Sequence, residues 1–154
     1  MLAFMAVMGI VLFRLRPHVW NSTASMPIGL YRVLPLKRPV TTLRAGTIVI
    51  VCFGSRALQH AHQLGIRLTS DACDGDGQTA LKRLWGTGCA RMTSGGLILN
   101  GRHVPHSTPQ AGIRWATPQC SHGSRAWVGT PEATSYDSRY LGPLRVIGLA
   151  DRGF

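Results

Sequence analysis

The chain opens on thirteen uncharged, mostly apolar residues, MLAFMAVMGIVLF, followed closely by Arg14 and Arg16. As a helix this run spans roughly 20 Å, short of the ~30 Å hydrocarbon core of a bilayer. Three readings fit it: a buried N-terminal element, a cleaved secretory signal, or the end of a signal anchor. The division expected is an apolar, anchor-like or signal-like helix over residues 1–16 and one domain over 17–154. Arg14–Ser22 leads into that domain. Ile28–Leu34 reads as a strand, and the β-branched run Thr47–Phe53 suits a buried one. Ser55–Leu64 begins on a capping residue and continues in good helix formers, which predicts a short helix. Thr69–Gln78 reads as a Gly/Asp loop. Thr79–Trp85 and Gly96–Val104 read as strands, the second folding over Asn100-Gly101, a strong hairpin dipeptide. His106–Ser124 reads as an irregular insertion, and Trp127–Gly129 with Leu144–Leu149 completes the pattern. Short strands punctuated by turns predict a mainly β domain, a curled sheet or partial barrel.

Composition narrows the function classes. The 154 residues suffice for one domain, and 45% hydrophobic against 15% charged residues excludes a disordered tail. No repeat or low-complexity run is visible, which excludes collagen, coiled coils and helical arrays. Seventeen basic against six acidic residues leave a formal charge of +11. Such a surface attracts an anionic partner. The arginines are scattered from Arg14 to Arg152, with no basic block and no nucleic-acid-binding signature. An anionic membrane surface is therefore the expected partner, and nucleic acid is not. Lysine occurs only at Lys37 and Lys82. Where arginine supplies charge almost everywhere, a lysine stands out for the one thing arginine cannot do, which is lose its proton.

Cys52, Cys73, Cys89 and Cys120 lack the C-x-x-C spacing of zinc sites. One or two disulfides in an oxidising compartment, with three possible full pairings, and buried free thiols are both open readings. His60-x-His62 and Asp74-x-Asp76 each fall short of a metal-ligand set and read as surface helix and turn. No metal or cofactor is expected. GxGxxG, P-loop and HExxH motifs are absent, and no G-x-S-x-G elbow supports a Ser-His-Asp triad.

Three segments remain: Asn21-Ser-Thr-Ala-Ser-Met-Pro-Ile-Gly-Leu-Tyr31, Leu81-Lys-Arg-Leu84 and Ser135-Tyr-Asp-Ser-Arg-Tyr-Leu-Gly-Pro143. Taken singly, Ser25 is a turn residue, Lys82 an edge charge and the last segment a turn with a local ion pair. Taken in order behind an apolar start, S-M-P, K-R and D-S-R-Y-x-G resemble the type I signal peptidases. The form N-x-[ST]-x-S-x-P-x-G-L-Y-R more closely resembles the conjugative-transfer signal peptidases of the TraF type. The resemblance runs from about Asn21 to about Ala150. It departs from the family at Ala45-Gly46-Thr47 and at Gly129-Thr130, which lack an acidic residue, and at the shortened turn Trp85–Cys89.

The resemblance implies a serine endopeptidase with Ser25 as nucleophile and Lys82, neutral, as its base. A serine hydroxyl needs such a base, and burial among apolar neighbours can lower a lysine's pKa by several units. The backbone amide of Ser25 and the side chain of Thr23 would form the oxyanion hole. Pro27 and Gly29 would fix the turn, and regular alternation would turn Arg83 away from Lys82. Asp137, Ser138 and Arg139 would order the site, with Asp137 acting on Lys82 through a hydroxyl such as Ser138. The implied substrate is a secreted precursor, a conjugative pilin subunit, cut after small residues and in some relatives circularised. The implied place is the periplasmic face of a bacterial inner membrane, although Arg14 and Arg16 by themselves favour a cytoplasmic domain. A general leader peptidase and a non-catalytic docking module are the alternatives.

Overall fold

Antiparallel pairing dominates the computed structural model, which describes residues 17–66, 72–73 and 77–152. The apolar start and Asp71, Asp74 and Asp76 lie outside the described residues. The strands are β1 (His18–Asn21), β2 (Gly29–Pro35), β3 (Ile48–Phe53), β4 (Ala72–Cys73), β5 (Gly77–Gly86) and β6 (Cys89–Thr93). They continue with β7 (Gly96–Leu99), β8 (Arg102–His103), β9 (Gln119–Cys120), β10 (Arg125–Gly129) and β11 (Leu144–Asp151). The α-helices are α1 (Ser55–Gln63) and α2 (Ser138–Leu141). The protein is mainly β, in two antiparallel sheets of seven and four strands. Among the described residues no helix is long and apolar enough to cross a membrane.

The larger sheet runs β1-β2-β11-β10-β5-β3, with β4 on β5 and a further pairing of β11 with β3. That last pairing closes β11, β3, β5 and β10 into a ring. Closure explains why Ile48–Phe53 has apolar residues on both faces. Val49, Val51 and Phe53 pack inward with Leu84, Val128 and Val146, while Ile50 packs outward with Met26, Tyr31 and Leu81. The period-2 alternation of β5 follows the same division, so Leu81 and Leu84 fall on opposite faces. Lys82 shares the face of Leu84 and stands opposite Val49 across the ladder.

The second sheet, β8-β7-β6-β9, corrects the sequence reading in two places. β6 belongs to no expected strand, and β9 forms inside the expected irregular insertion. Trp127 of β10 is fully buried in the core of this sheet with Met92, Leu97 and Leu99, and so ties the two sheets together. The turn after β7 has positive φ at both Asn100 and Gly101, as the expected hairpin requires. The expected Gly/Asp loop instead contains β4, whose Cys73 is disulfide-bonded to Cys52 of β3. Cys89 is bonded to Cys120, its direct cross-strand partner. All four thiols are thereby oxidised.

Gly129 shows how tightly β10 packs against its neighbour β5 and the start of α2. A Cβ there would lie 2.1 Å from the Trp85 ring and 2.9 Å from Asp137 Oδ2. Because neither a half-buried indole packed against a strand nor a fully buried carboxylate can yield cheaply, Gly129→Ala should cost about 2 kcal/mol or more. Urea unfolding measures this, and an unchanged midpoint would contradict the packing.

Candidate active site

The turn between β1 and β2 carries Ser25, and Asn21 holds it. The buried Asn21 side chain donates from Nδ2 to the carbonyls of Thr23 (2.9 Å), Met26 (2.9 Å) and Pro27 (3.2 Å). Tyr31 Oη donates to the same Pro27 carbonyl at 2.8 Å, and Met26 is buried beneath. The turn is therefore pinned from both flanking strands. Thr23 Oγ1 donates to Asn21 Oδ1 at 2.9 Å and lies 2.9 Å from Ser25 Oγ. A hydroxyl has one proton, so with that of Thr23 on Asn21, the Ser25 hydroxyl is the donor to Thr23. At rest the Ser25 O–H points at Thr23 Oγ1.

Lys82 reaches the same cleft from β5. The cleft has a volume of about 540 Å³ and is lined by Thr23, Ser25, Lys82 and Ser135 among others. Lys82 is only 4% exposed, and its amine donates to Ser135 Oγ at 2.6 Å. Burial pulls its pKa down from 10.5 to about 8; the Asp137 carboxylate opposes that shift, and the Arg139 guanidinium adds to it. At pH 7 roughly one Lys82 in ten is neutral, against about three in ten thousand for an ordinary lysine. Arg83 turns the other way, with its Nη1 toward the Gly46 carbonyl at 3.5 Å.

Behind the cleft lies an ion pair with no exposure at all. Arg139 donates from Nε to Asp137 Oδ1 (2.9 Å) and from Nη2 to Oδ2 (2.7 Å). The Arg139 backbone N–H donates to Oδ1 at 3.0 Å, so Asp137 also caps α2. Further guanidinium bonds reach the carbonyls of Glu132 (2.7 Å) and Ser135 (3.2 Å), and the ring of Trp85 lies 5.8 Å away. The segment that carries Ser135 is thus fixed by its own carbonyl. On its other flank Tyr136 Oη donates to the Ala57 carbonyl of α1 (3.1 Å) and lies 2.7 Å from His60 Nδ1.

Ser25, Thr23 and Lys82 therefore line one cleft, whereas Asp137, Ser138 and Arg139 stand behind it. Ser138 differs from the expectation. Its Oγ accepts from the Val128 N–H at 2.9 Å, and the hydroxyl on Lys82 is that of Ser135. Sequence reasoning missed both Ser135 and Asn21. Each stood as the first letter of a quoted motif, and only the fold turns these ends toward Ser25 and Lys82.

The chain is mainly β, with a serine turn and a buried lysine on one cleft, and comparison with known proteins gives its family. The chain is 30% identical over 141 residues to "Conjugal transfer protein TraF" of Agrobacterium fabrum (strain C58 / ATCC 33970), covering 84% of this chain and 76% of that protein. It belongs to the TraF family of conjugal transfer proteins. No protein-family model matches it. No solved structure matches it.

The depressed Lys82 pKa carries a sign that unfolding can read. Between about 8 and 10.5 the unfolded chain holds a proton on Lys82 that the folded chain has lost, so this group's contribution makes stability rise with pH. Below about 8 both states are charged and the burial penalty is complete. Tyr136, raised to about 12, acts oppositely above pH 10, so the comparison belongs below that. Lys82→Met should be more stable than the wild type at pH 8, with the gap narrowing steadily to pH 10 in urea titrations. A gap independent of pH would contradict the shift.

Proposed function

We propose that this chain is a membrane-associated serine endopeptidase that processes a secreted precursor, with Ser25 as nucleophile and Lys82 as general base. The observation that carries the reading is the Lys82 amine, buried, partly neutral near pH 8 and facing the cleft that Ser25 lines. In this reaction the neutral amine takes the Ser25 proton as Oγ bonds to the substrate carbonyl carbon. The resulting oxyanion is held by the Ser25 N–H and by Thr23, whose hydroxyl swings from Asn21 to the new charge. The ammonium of Lys82 then protonates the leaving amine as the C–N bond breaks, leaving an ester on Ser25. Water releases a linear product; an amine of the same chain would release a circular one.

Kinship with a conjugal transfer protein supports a pilin-like precursor as substrate. Two disulfides support an oxidising compartment, and hence a catalytic domain on the periplasmic face of the inner membrane. The charge of +11 supports contact with anionic lipid.

Ser25→Ala and Lys82→Ala should each reduce cleavage of a pilin-like precursor at least ~10³-fold while leaving circular dichroism unchanged. Retained full activity in either variant would overturn the dyad. The wild-type rate should climb with pH through about 8, where Lys82 loses its proton. A general leader peptidase would also cut unrelated exported precursors, and a dedicated one would not.

A further inference from the structure

The cleft does not end at Ser25. A second cavity of about 430 Å³ shares Ala24, Ser25 and Glu132 with it and is bounded on its far side by Arg83 and Pro131. Those two residues also line a third cavity of about 750 Å³, bordered by Trp85, Leu99 and Arg102 where β5 faces β7 and β8. Through these shared residues the three adjoin in order, from the cleft that holds Lys82, past Ser25 and Glu132, to the groove between the sheets.

The far groove has a distinct chemistry. Trp85 and Leu99 give it an apolar wall, and Arg83, Arg102 and His106 bring cationic or protonatable groups to it. No carboxylate lines it among the described residues, and the described ion pairs, Arg32–Asp151 and Arg139–Asp137, leave Arg83 and Arg102 without a carboxylate partner. Next to Ser25 the sign reverses, because Glu132 borders both cavities there. A bound chain would thus meet negative charge beside the scissile bond and positive charge further along.

We infer that this groove binds an acidic segment of the polypeptide substrate, several residues from the cut on the leaving-group side. The inference rests on the peptidase reading: a secretory leader is N-terminal and apolar, so it lies on the acyl side of the cut, and an acidic segment falls on the leaving side. Arginine on an apolar wall suits carboxylate side chains, since it pairs in a planar fork while its stem packs on carbon. Glu132 would repel an acidic residue placed directly at the cut, which sets the distance.

Binding tests this separately from cleavage. Full-length Ser25→Ala protein in detergent would be titrated with fluorescent peptides that share one small-residue cut site. One carries a run of Glu after the site, one a run of Glu before it, and one Gln in place of Glu. Fluorescence anisotropy should show the Glu-after peptide binding about tenfold tighter than the Gln peptide at low salt, a gain that shrinks with added salt. Arg102→Glu, introduced into the same protein, should erase the gain. Equal affinity for the Glu-after and Gln peptides would overturn the inference, as would an equal gain for the Glu-before peptide, which would report bulk charge. If Arg102→Glu weakened only the binding of phosphatidylglycerol vesicles and left peptide affinity unchanged, the groove would be a lipid site and the inference would fall. Cleavage of the same peptides by protein with Ser25 intact reads the peptidase reaction independently. Selective binding without cleavage would overturn that reaction and leave the acidic-segment groove standing.

Discussion

One primary amine kept out of water organises the surroundings of the cleft. Lys82 points into the closed ring of strands rather than away from it, and the apolar residues beside it on β5 and across on β3 deny it solvent. The buried pair behind it makes that tolerable. Asp137 alone beside Lys82 would favour the ammonium and lock the proton on. Arg139 takes up that carboxylate with both Nε and Nη2, and its own charge works in the other direction on Lys82. The pair leaves desolvation as the dominant influence, which is what a lysine needs to exchange a proton near neutrality. Removing one partner would leave an unpaired charge in the interior, a far larger disturbance than the pair itself.

The fold supplies this arrangement by bringing distant segments together. β5 must lie between β3 and β10 for Lys82 to face Ser135, and the closure of β11 on β3 holds that order. The serine turn arrives from the other side on β1 and β2, the continuation of the same sheet beyond β11. Each sheet carries one disulfide: one ties β4 to β3 in the larger sheet, and the other joins β6 to β9 in the smaller. The Ser135–Arg139 segment is held at both flanks, by α1 through Tyr136 and by the arginine's bonds to backbone carbonyls. It therefore presents the Ser135 hydroxyl to Lys82 from a fixed position.

Much of this was legible in the residues, and the exceptions have physical reasons. The β-branched run at Thr47–Phe53, the short helix after it and the Asn100-Gly101 hairpin are local signals, and the structure contains all three, although the helix's N-cap is Gly54 rather than Ser55 and no side chain caps it. β6 and β9 leave little local signal, because one is five residues long with only Ala90 and Met92 on its buried side, and the other is two residues long and exists by pairing to it. Lysine scarcity and the apolar flanks of Lys82 mark that residue in the sequence itself. The hydroxyl that meets it is that of Ser135 rather than the expected Ser138, the two standing on either side of Asp137. The short helix α2, unmarked by any periodicity, turns Ser138 toward the Val128 amide instead. Asn21 was equally opaque. A buried asparagine that gathers three carbonyls is a tertiary fact with no trace in spacing.

The account stands or falls on the protonation of Lys82. With only two lysines in the chain, Lys82 and Lys37 can be told apart by a single substitution in a ¹³C-lysine-labelled sample. An NMR titration of the Cε resonances should then place Lys82 at about 8, well below the 10.5 of an ordinary lysine. Titration at 10.5 would mean that the amine is solvated and held charged. In that event Lys82 could not serve Ser25 as a base at neutral pH.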